Sequence, residues 1–397
     1  MLAIQYVKSI PRYVTVRLLG PHWNWLYTSP FACIRLANIA PSRLPREDWV
    51  RIHPILSGIC GSDLATIAAK GSTYFSPFTS CPFVLGHEVV GEIIETGDHV
   101  IDFKNGDRVV LQPPLHCAVR GILERCPPCR EGRESHCENV THGIISPGIQ
   151  TGYCKDTGGG WSNNFVAHQK QLHRLPPELS NEEAVLVEPF SCCLHAVLKA
   201  RLRNHHTVVT LGGGTMGALT VAAIRGIGSK CRLVVVAKYP HQQRTARNLG
   251  ADVVIGTGNL YQRMARILSA DLYQPELGPP VLVGGAQFCF DCIGSDRSID
   301  DAVRFTAAAG TVILVGMPGI PKSVDWTGMW HRELSILGSY TSDSPTFSRA
   351  ITLLAEMKGR LKGIVGAKFP LTHYKDALLC AFDTGRSGVT KTVFESS

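Results

Sequence analysis

Thr207-Val208-Val209-Thr210-Leu211 runs directly into Gly212-Gly213-Gly214-Thr215-Met216-Gly217. An apolar, β-branched run of this length reads as a strand buried on both faces, and the spaced glycines after it admit few backbone paths. Gly212 permits a tight turn. Gly214 lets backbone approach a pyrophosphate, and Gly217 lets the following helix pack against the strand. Thr215 and Met216 open that helix, whose free N–H groups suit phosphate. Ala218 to Arg225 continues it. Arg232 to Val236 reads as the next strand and the stretch around Arg244 to Leu249 as the next helix. Asp252 to Ile255, Phe288 to Cys292 and Thr311 to Val315 supply further strands. Apolar strands alternating with helices predict an α/β, doubly wound parallel sheet of the Rossmann kind.

A chain of 397 residues exceeds what one core usually serves, so two domains are expected. Hydrophobic residues make up 44% and charged residues 18%, a balance that excludes a disordered chain. The N-terminal half differs from the region after Thr207. Trp49 to Ile55, Val89 to Ile94 and Asp107 to Leu111 are short β-like runs, and no helical period persists among them, which predicts a mostly β domain. The pattern changes near Ser180, where Ser180 followed by Glu182 and Glu183 opens a helix. No stretch approaches 18 uninterrupted apolar residues, so neither a membrane span nor a membrane partner is expected. The start of the chain does not read as a signal peptide, since its apolar run is short and lacks a basic leader. The 14 cysteines are dispersed, two of them adjacent at Cys192-Cys193, and this fits a reduced cytoplasmic protein better than a disulfide scaffold. The net charge of +8 is spread along the chain without a basic block, so no nucleic-acid partner is expected.

Three further segments carry chemistry. Gly58-Ile59-Cys60-Gly61-Ser62-Asp63, then Gly86-His87-Glu88-Val89-Val90-Gly91 with Gly97 and Val100, then Val187-Glu188-Pro189 together offer a thiolate, an imidazole and carboxylates. Sulfur, nitrogen and oxygen ligands that leave one position open are the set for a catalytic zinc. The spaced pattern from Gly86 to Val100 resembles the zinc signature of the medium-chain alcohol/polyol dehydrogenases, in their sorbitol/threonine dehydrogenase-like branch. The resemblance runs from about Val50 to the C-terminus and includes Gly106-Asp107-Arg108-Val109, Glu188-Pro189 and Lys391-Thr392-Val393. Met1 to Ala40 match less clearly.

The resemblance implies a GroES-like catalytic domain over residues 1–190, with 340–397 returning to it, and a Rossmann dinucleotide-binding domain over 191–339. It implies Cys60, His87 and Glu188 as metal ligands, Glu188 either directly or through water. Glu88 and Ser62 carry over as catalytic residues, Glu88 beside the metal and Ser62 at the start of a proton relay. Many relatives place a histidine five residues after the cysteine. Here Ala65 stands there, so the relay runs through water, the ribose or another group. The implied activity is hydride transfer between a nicotinamide cofactor and a secondary alcohol, polyol or carbonyl, the partner being a small molecule. A non-catalytic zinc-bearing member of the fold is the alternative, and a homo-oligomer, dimer or tetramer, is expected.

Cys126-Pro127-Pro128-Cys129 and Cys137 resemble the family's structural-zinc lobe, whose first cysteine would fall on Leu123. Cys117 is the nearest substitute, with His116, His136 or no metal as alternatives. At the end of the second Rossmann strand, NAD enzymes hold an acid for the ribose hydroxyls. The family alignment puts Ala237 there, followed by Lys238 and, on the next turn, Arg244, with no carboxylate between Val234 and Asn248. This charge pattern favours NADP over NAD.

Overall fold

The computed structural model describes residues 1–396. In chain order the first strands are β1 (Leu2–Tyr6), β2 (Ile34–Asn38), β3 (Trp49–Gly58), β4 (Phe83–Val84), β5 (Val89–Thr96), β6 (Arg108–Leu111), β7 (Phe165–His168) and β8 (Leu172–Arg174). Then come β9 (Thr207–Leu211), β10 (Arg232–Val236), β11 (Val253–Ile255), β12 (Asp271–Tyr273), β13 (Val281–Val283), β14 (Ala286–Asp291), β15 (Thr306–Leu314) and β16 (Ser335–Gly338). β17 (Val365–Phe369) and β18 (Lys391–Glu395) close the chain. Two compact units result. One comprises Met1–Glu188, Asp343–Lys358 and the chain from Val365 onward; the other comprises Pro189–Ser342 and Gly359–Ile364.

The first unit is built on a sheet ordered β17-β18-β3-β5-β6-β8, with β7 also paired to β3. All pairings are antiparallel except β17 with β18. Alternate residues of these strands, among them Val50, Ile52, Val89, Ile93, Val109 and Leu111, are buried together with Phe165 and Leu172, as period-two patterning requires. A smaller sheet ordered β2-β1-β4 lies over a core of Ile4, Tyr27, Phe83, Trp161 and Phe394. Gly86 sits at the edge of that core with φ +96, and a Cβ there would fall 2.4 Å from Trp161 Cδ1. Only glycine fits, which explains the residue before His87.

Helices stand in the N-terminal half where the sequence pattern predicts none, Gly61–Ile67 after β3 among them, and the longest lies near the start of the chain. Ile10–Leu19 is a helix in the excursion between β1 and β2, where no helical period was expected. Its start is set by Pro11 in the first turn. Of its residues only Val16 is buried. Its apolar residues therefore do not mark a core-facing stripe, and the periodicity test loses its basis.

The second unit has the predicted parallel sheet, ordered β11-β10-β9-β14-β15-β16. Val209, Leu211, Val234, Val236, Cys289 and Val312 bring its strands into one core. The helices Thr215–Gly226, Pro240–Asn248 and Asp296–Phe305 follow β9, β10 and β14, as crossover connections between parallel strands demand.

Lys391, at the head of β18, ties the C-terminal strand to the first unit. Its Nζ donates to the Ile59 carbonyl at 3.1 Å and pairs with Glu88. Lys391 and Glu88 are 3% and 1% exposed. Burial pulls the Lys391 pKa down, but Glu88 and Cys60 outweigh it and raise it. The pair's contribution is therefore complete below the unfolded lysine value of about 10.4 and is lost as pH rises through the higher folded value. Removing the cation alone strands a buried carboxylate. Lys391→Met should cost about 3–5 kcal/mol in urea unfolding, and Glu88→Gln with Lys391→Met should recover most of that loss. A cost below about 1 kcal/mol for Lys391→Met, the level of an exposed pair, would show the tie to be dispensable.

Candidate functional site

Cys60 is the N-cap of the helix Gly61–Ile67, with extended backbone at φ −87 and ψ 155. Its backbone N–H donates to Asp63 Oδ2 at 3.0 Å, so the third helical residue turns back to cap its own helix. The other oxygen, Oδ1, lies 3.4 Å from His87 Nδ1. Asp63 has no exposed surface and His87 only 4%. Burial pulls the His87 pKa down, yet the Asp63 carboxylate and Cys60 outweigh it and set it well above the ordinary imidazole value. A carboxylate on one ring nitrogen fixes the orientation of a histidine whose other nitrogen serves as ligand. The thiol, the oriented imidazole and the buried acid behind it fit a zinc.

The remaining sequence-named residues of this region fall in different places. Ser62 is half-buried in the first turn of the Cys60 helix, and its carbonyl accepts from Thr66 Oγ1 at 2.9 Å. Ala65 lies in the same helix. The Glu88 carboxylate is taken up by Lys391. It stands as a buried positioning group and not as a proton donor open to substrate. Glu188 is buried at the start of the helix Val187–Ala200. Among the described residues, the one group of three or more ligand atoms all within 4.8 Å of one another is the second cysteine cluster. Glu188 does not close such a group with Cys60 and His87.

Two hydroxyls at this site went unread in the sequence. The Tyr153 ring lies 6.1 Å from that of His87, and its OH is 3.2 Å from Thr66 Oγ1. Burial, then the Asp63 charge, pushes the Tyr153 pKa up, so the phenol keeps its proton at neutral pH. Nothing in local spacing ties residue 153 to residues 60–66; only the tertiary fold joins them.

Cys117, Cys126, Cys129 and Cys137 come together, all four buried. The Cys117 sulfur lies 3.6 Å from those of Cys126 and Cys137, which are 4.0 Å apart. Four thiolates at about 2.3 Å from a tetrahedral zinc stand about 3.8 Å apart, so the cage has the size for zinc. N–H groups of Cys126 and Asn139 and the Asn139 amide donate to these sulfurs at 3.2–3.5 Å. Cys117, and neither His116 nor His136, supplies the fourth atom. His116 is buried beside the cluster, and burial lowers its pKa to about 4. The long spacing from Cys117 to Cys126 is accommodated by Arg120. This fully buried guanidinium donates to the carbonyls of Leu115, His142, Ile145, Ser146 and Gly148.

In the second unit β9 ends at Leu211 and the helix Thr215–Gly226 begins after Gly214. A Cβ on Gly217 would meet the Gly212 carbonyl at 1.8 Å, so this approach admits no side chain. Around Gly214 the space is open, which leaves the turn's backbone accessible to a ligand. Met216 lies in the first turn and its carbonyl accepts from Thr220 Oγ1 at 2.8 Å. Beyond β10, Ala237 is buried and Lys238 exposed, its ammonium 5.2 Å from the Tyr239 ring centre. Arg244 is exposed on the helix Pro240–Asn248. His241, on the first turn of that helix, has a buried Nε2 without a hydrogen-bond partner; the sequence reading passed over it.

The family profile of the alcohol dehydrogenase GroES-like domain matches residues 46–177, and that of the zinc-binding dehydrogenases matches residues 215–356. The L-idonate 5-dehydrogenase of Vitis vinifera is 30% identical over 354 residues, covering 88% of this chain and 87% of the relative. The sorbitol dehydrogenase of Bacillus subtilis is 28% identical over 337 residues, covering 84% and 86%. Among solved structures, the alcohol dehydrogenase of Aeropyrum pernix superposes with a TM-score of 0.76 over all of both chains at 20% identity, a likeness of fold.

The cysteine cage carries a metal prediction. Metal analysis should find two zincs per chain, falling to one in Cys129→Ser, with a lower melting temperature for that variant. A single zinc in wild type, unchanged in Cys129→Ser, would show that the cage holds none.

Proposed function

The chain belongs to the zinc-dependent medium-chain alcohol/polyol dehydrogenase family, a GroES-like unit joined to a Rossmann unit, and from that premise we propose that it transfers hydride between NADP and the carbinol carbon of a secondary alcohol group of a polyol. The observation that carries the proposal is the Cys60–Asp63–His87 cluster. Cys60 and His87 would hold the catalytic zinc, with Glu188 reaching it through water. Zinc bound there supplies a Lewis acid that eases loss of a proton from the substrate hydroxyl.

The protein's own groups do the rest. Asp63 fixes the His87 ring. Ser62 relays the substrate proton, its hydroxyl passing its own proton to water as it accepts the substrate's, since Ala65 stands in place of a histidine. Tyr153, held protonated, offers an O–H donor, and Thr66 beside it offers a second hydroxyl. A buried phenol beside a half-buried threonine suits a substrate with several hydroxyls, since a site built to hydrogen-bond a substrate OH discriminates against analogues lacking it. The curated relatives that act on sugar alcohols and sugar acids support this substrate class.

The cofactor reading rests on the end of β10. An acid there would bind the ribose hydroxyls and repel a 2′-phosphate. Ala237 does neither, and Lys238 and Arg244 stand exposed nearby with cationic heads. One charged hydrogen bond to the phosphate is worth about 1.5–3 kcal/mol, enough for about a tenfold preference or more. In kcat/KM for each cofactor, wild type should favour NADP, and Ala237→Asp with Lys238→Ala should invert the preference. Cys60→Ser should abolish turnover with both cofactors while leaving the melting temperature within a few degrees. Better use of NAD by wild type would overturn the cofactor assignment, and full activity in metal-free Cys60→Ser would overturn the site.

A further inference from the structure

The helix Gly61–Ile67 carries Ser62 and Thr66 behind Cys60, and two backbone bonds close its far end. The Ala69 N–H donates to the Thr66 carbonyl at 3.2 Å, and the Lys70 N–H to the Ala65 carbonyl at 2.9 Å. This pair is the Schellman closure of a helix, which needs a left-handed residue at the position of Ala69. Ala69 stands there with φ 53. Glycine adopts that conformation freely, whereas the Cβ of alanine strains it. Gly71, the nearest glycine after the helix, comes two positions too late to take the strain.

The strained turn is held from outside by the N-terminal helix Ile10–Leu19. Arg17 Nη1 donates to the Ala69 carbonyl at 3.1 Å and to the Tyr13 hydroxyl at 3.1 Å. Val16, the residue before Arg17, is buried in one core with Ile67, Ala68, Ala69 and Tyr153. Backbone strain persists only where the surroundings over-determine it. Here the determining contact comes from a segment outside residues 46–177, the part of the chain that matches the GroES-like profile.

The turn governs both ties of Tyr153. Thr66 Oγ1 donates to the Ser62 carbonyl at 2.9 Å and lies 3.2 Å from the Tyr153 hydroxyl. The chain beyond the turn returns to Tyr153 from its other end, where the Ser80 N–H donates to the Tyr153 carbonyl at 3.4 Å. Tyr153 is thus tied by its hydroxyl to the helix that the turn ends, and by its backbone to the segment that the turn begins. We propose that Arg17 is a positioning residue for substrate. By holding the Ala69 carbonyl it fixes the turn, and the turn sets the Thr66–Tyr153 pair against a second hydroxyl of a polyol. The proposal rests on the reading of that pair as the substrate-hydroxyl site. An alcohol with one hydroxyl makes no use of the pair, so Arg17 acts on polyols alone.

The test compares wild type with Arg17→Met, Arg17→Lys, Ala69→Gly and Arg17→Met combined with Ala69→Gly. The probes are whichever of sorbitol, xylitol and butane-2,3-diol wild type turns over fastest, and butan-2-ol, followed by its KM or its Ki. Arg17→Met should raise KM for the polyol about tenfold, the scale of one lost hydrogen bond. Its kcat, its KM for NADP and its constant for butan-2-ol should stay within about twofold, the pattern of lost uniform binding to one substrate. Glycine at position 69 removes the strain, so the double variant should return to within about twofold of wild type. Arg17→Lys keeps a single donor and should lose no more than about threefold. Amide exchange at Ala69 and Lys70 should quicken in Arg17→Met and slow again in the double variant, whatever the substrate. Equal losses on polyol and butan-2-ol, unchanged exchange, or no recovery with Ala69→Gly overturns the proposal. Tyr153→Phe separates it from the reading beneath it. If that variant leaves the polyol KM unchanged, or if wild type turns over none of the three polyols, the reading fails and the proposal with it. If Tyr153→Phe raises the polyol KM and Arg17→Met does not, only the assignment of Arg17 fails.

Discussion

Asp63 is a carboxylate with no surface in water, and its two oxygens face different partners. One accepts the N–H of Cys60 and caps the helix that Cys60 begins; the other stands against the ring of His87, on the far side of a strand pairing. A buried charge is tolerable only when its environment compensates it. Here the compensation joins the thiol, the helix and the imidazole into one rigid piece. Loosening Asp63 would free the helix end and the histidine together, because the same carboxylate restrains both.

The surrounding structure holds that piece from several sides. Gly86 lets the chain pass under Trp161 and deliver His87 inward. Glu88, the next residue along, is drawn off by Lys391, which anchors the last strand and also meets the Ile59 carbonyl just before Cys60. The cysteine lobe is ordered by a different device. Arg120 gathers five carbonyls, converting a long insertion into a packed loop and bringing Cys117 to the other three sulfurs.

Much of this could be read from the sequence because it depends on local pattern. β9 and β10 match the apolar runs at Thr207 and Arg232 residue for residue, since strands buried on both faces have continuous hydrophobic sequence. The glycine turn was legible for the same reason: the 1.8 Å approach at Gly217 allows one residue type. Cys60 and His87 were legible as a spaced pattern. Tyr153 was not, because its place beside Thr66 and His87 is made by the tertiary fold alone. Glu88 was legible as important, but its pairing with Lys391 was not, because that partner lies 303 positions away. The helix Ile10–Leu19 escaped notice because its apolar residues face outward, so periodicity carried no information about a core.

The central claim is that the Cys60–Asp63–His87 cluster is where hydrogen leaves carbon. It is tested most directly by isotope transfer. Polyols deuterated at each carbinol carbon are incubated with the zinc-loaded protein and oxidised NADP, and the reduced nicotinamide is examined by mass spectrometry. The account predicts one deuterium per turnover from a single carbinol position, and none from His87→Ala with its fold intact. Deuterium transfer that persists in His87→Ala would contradict it.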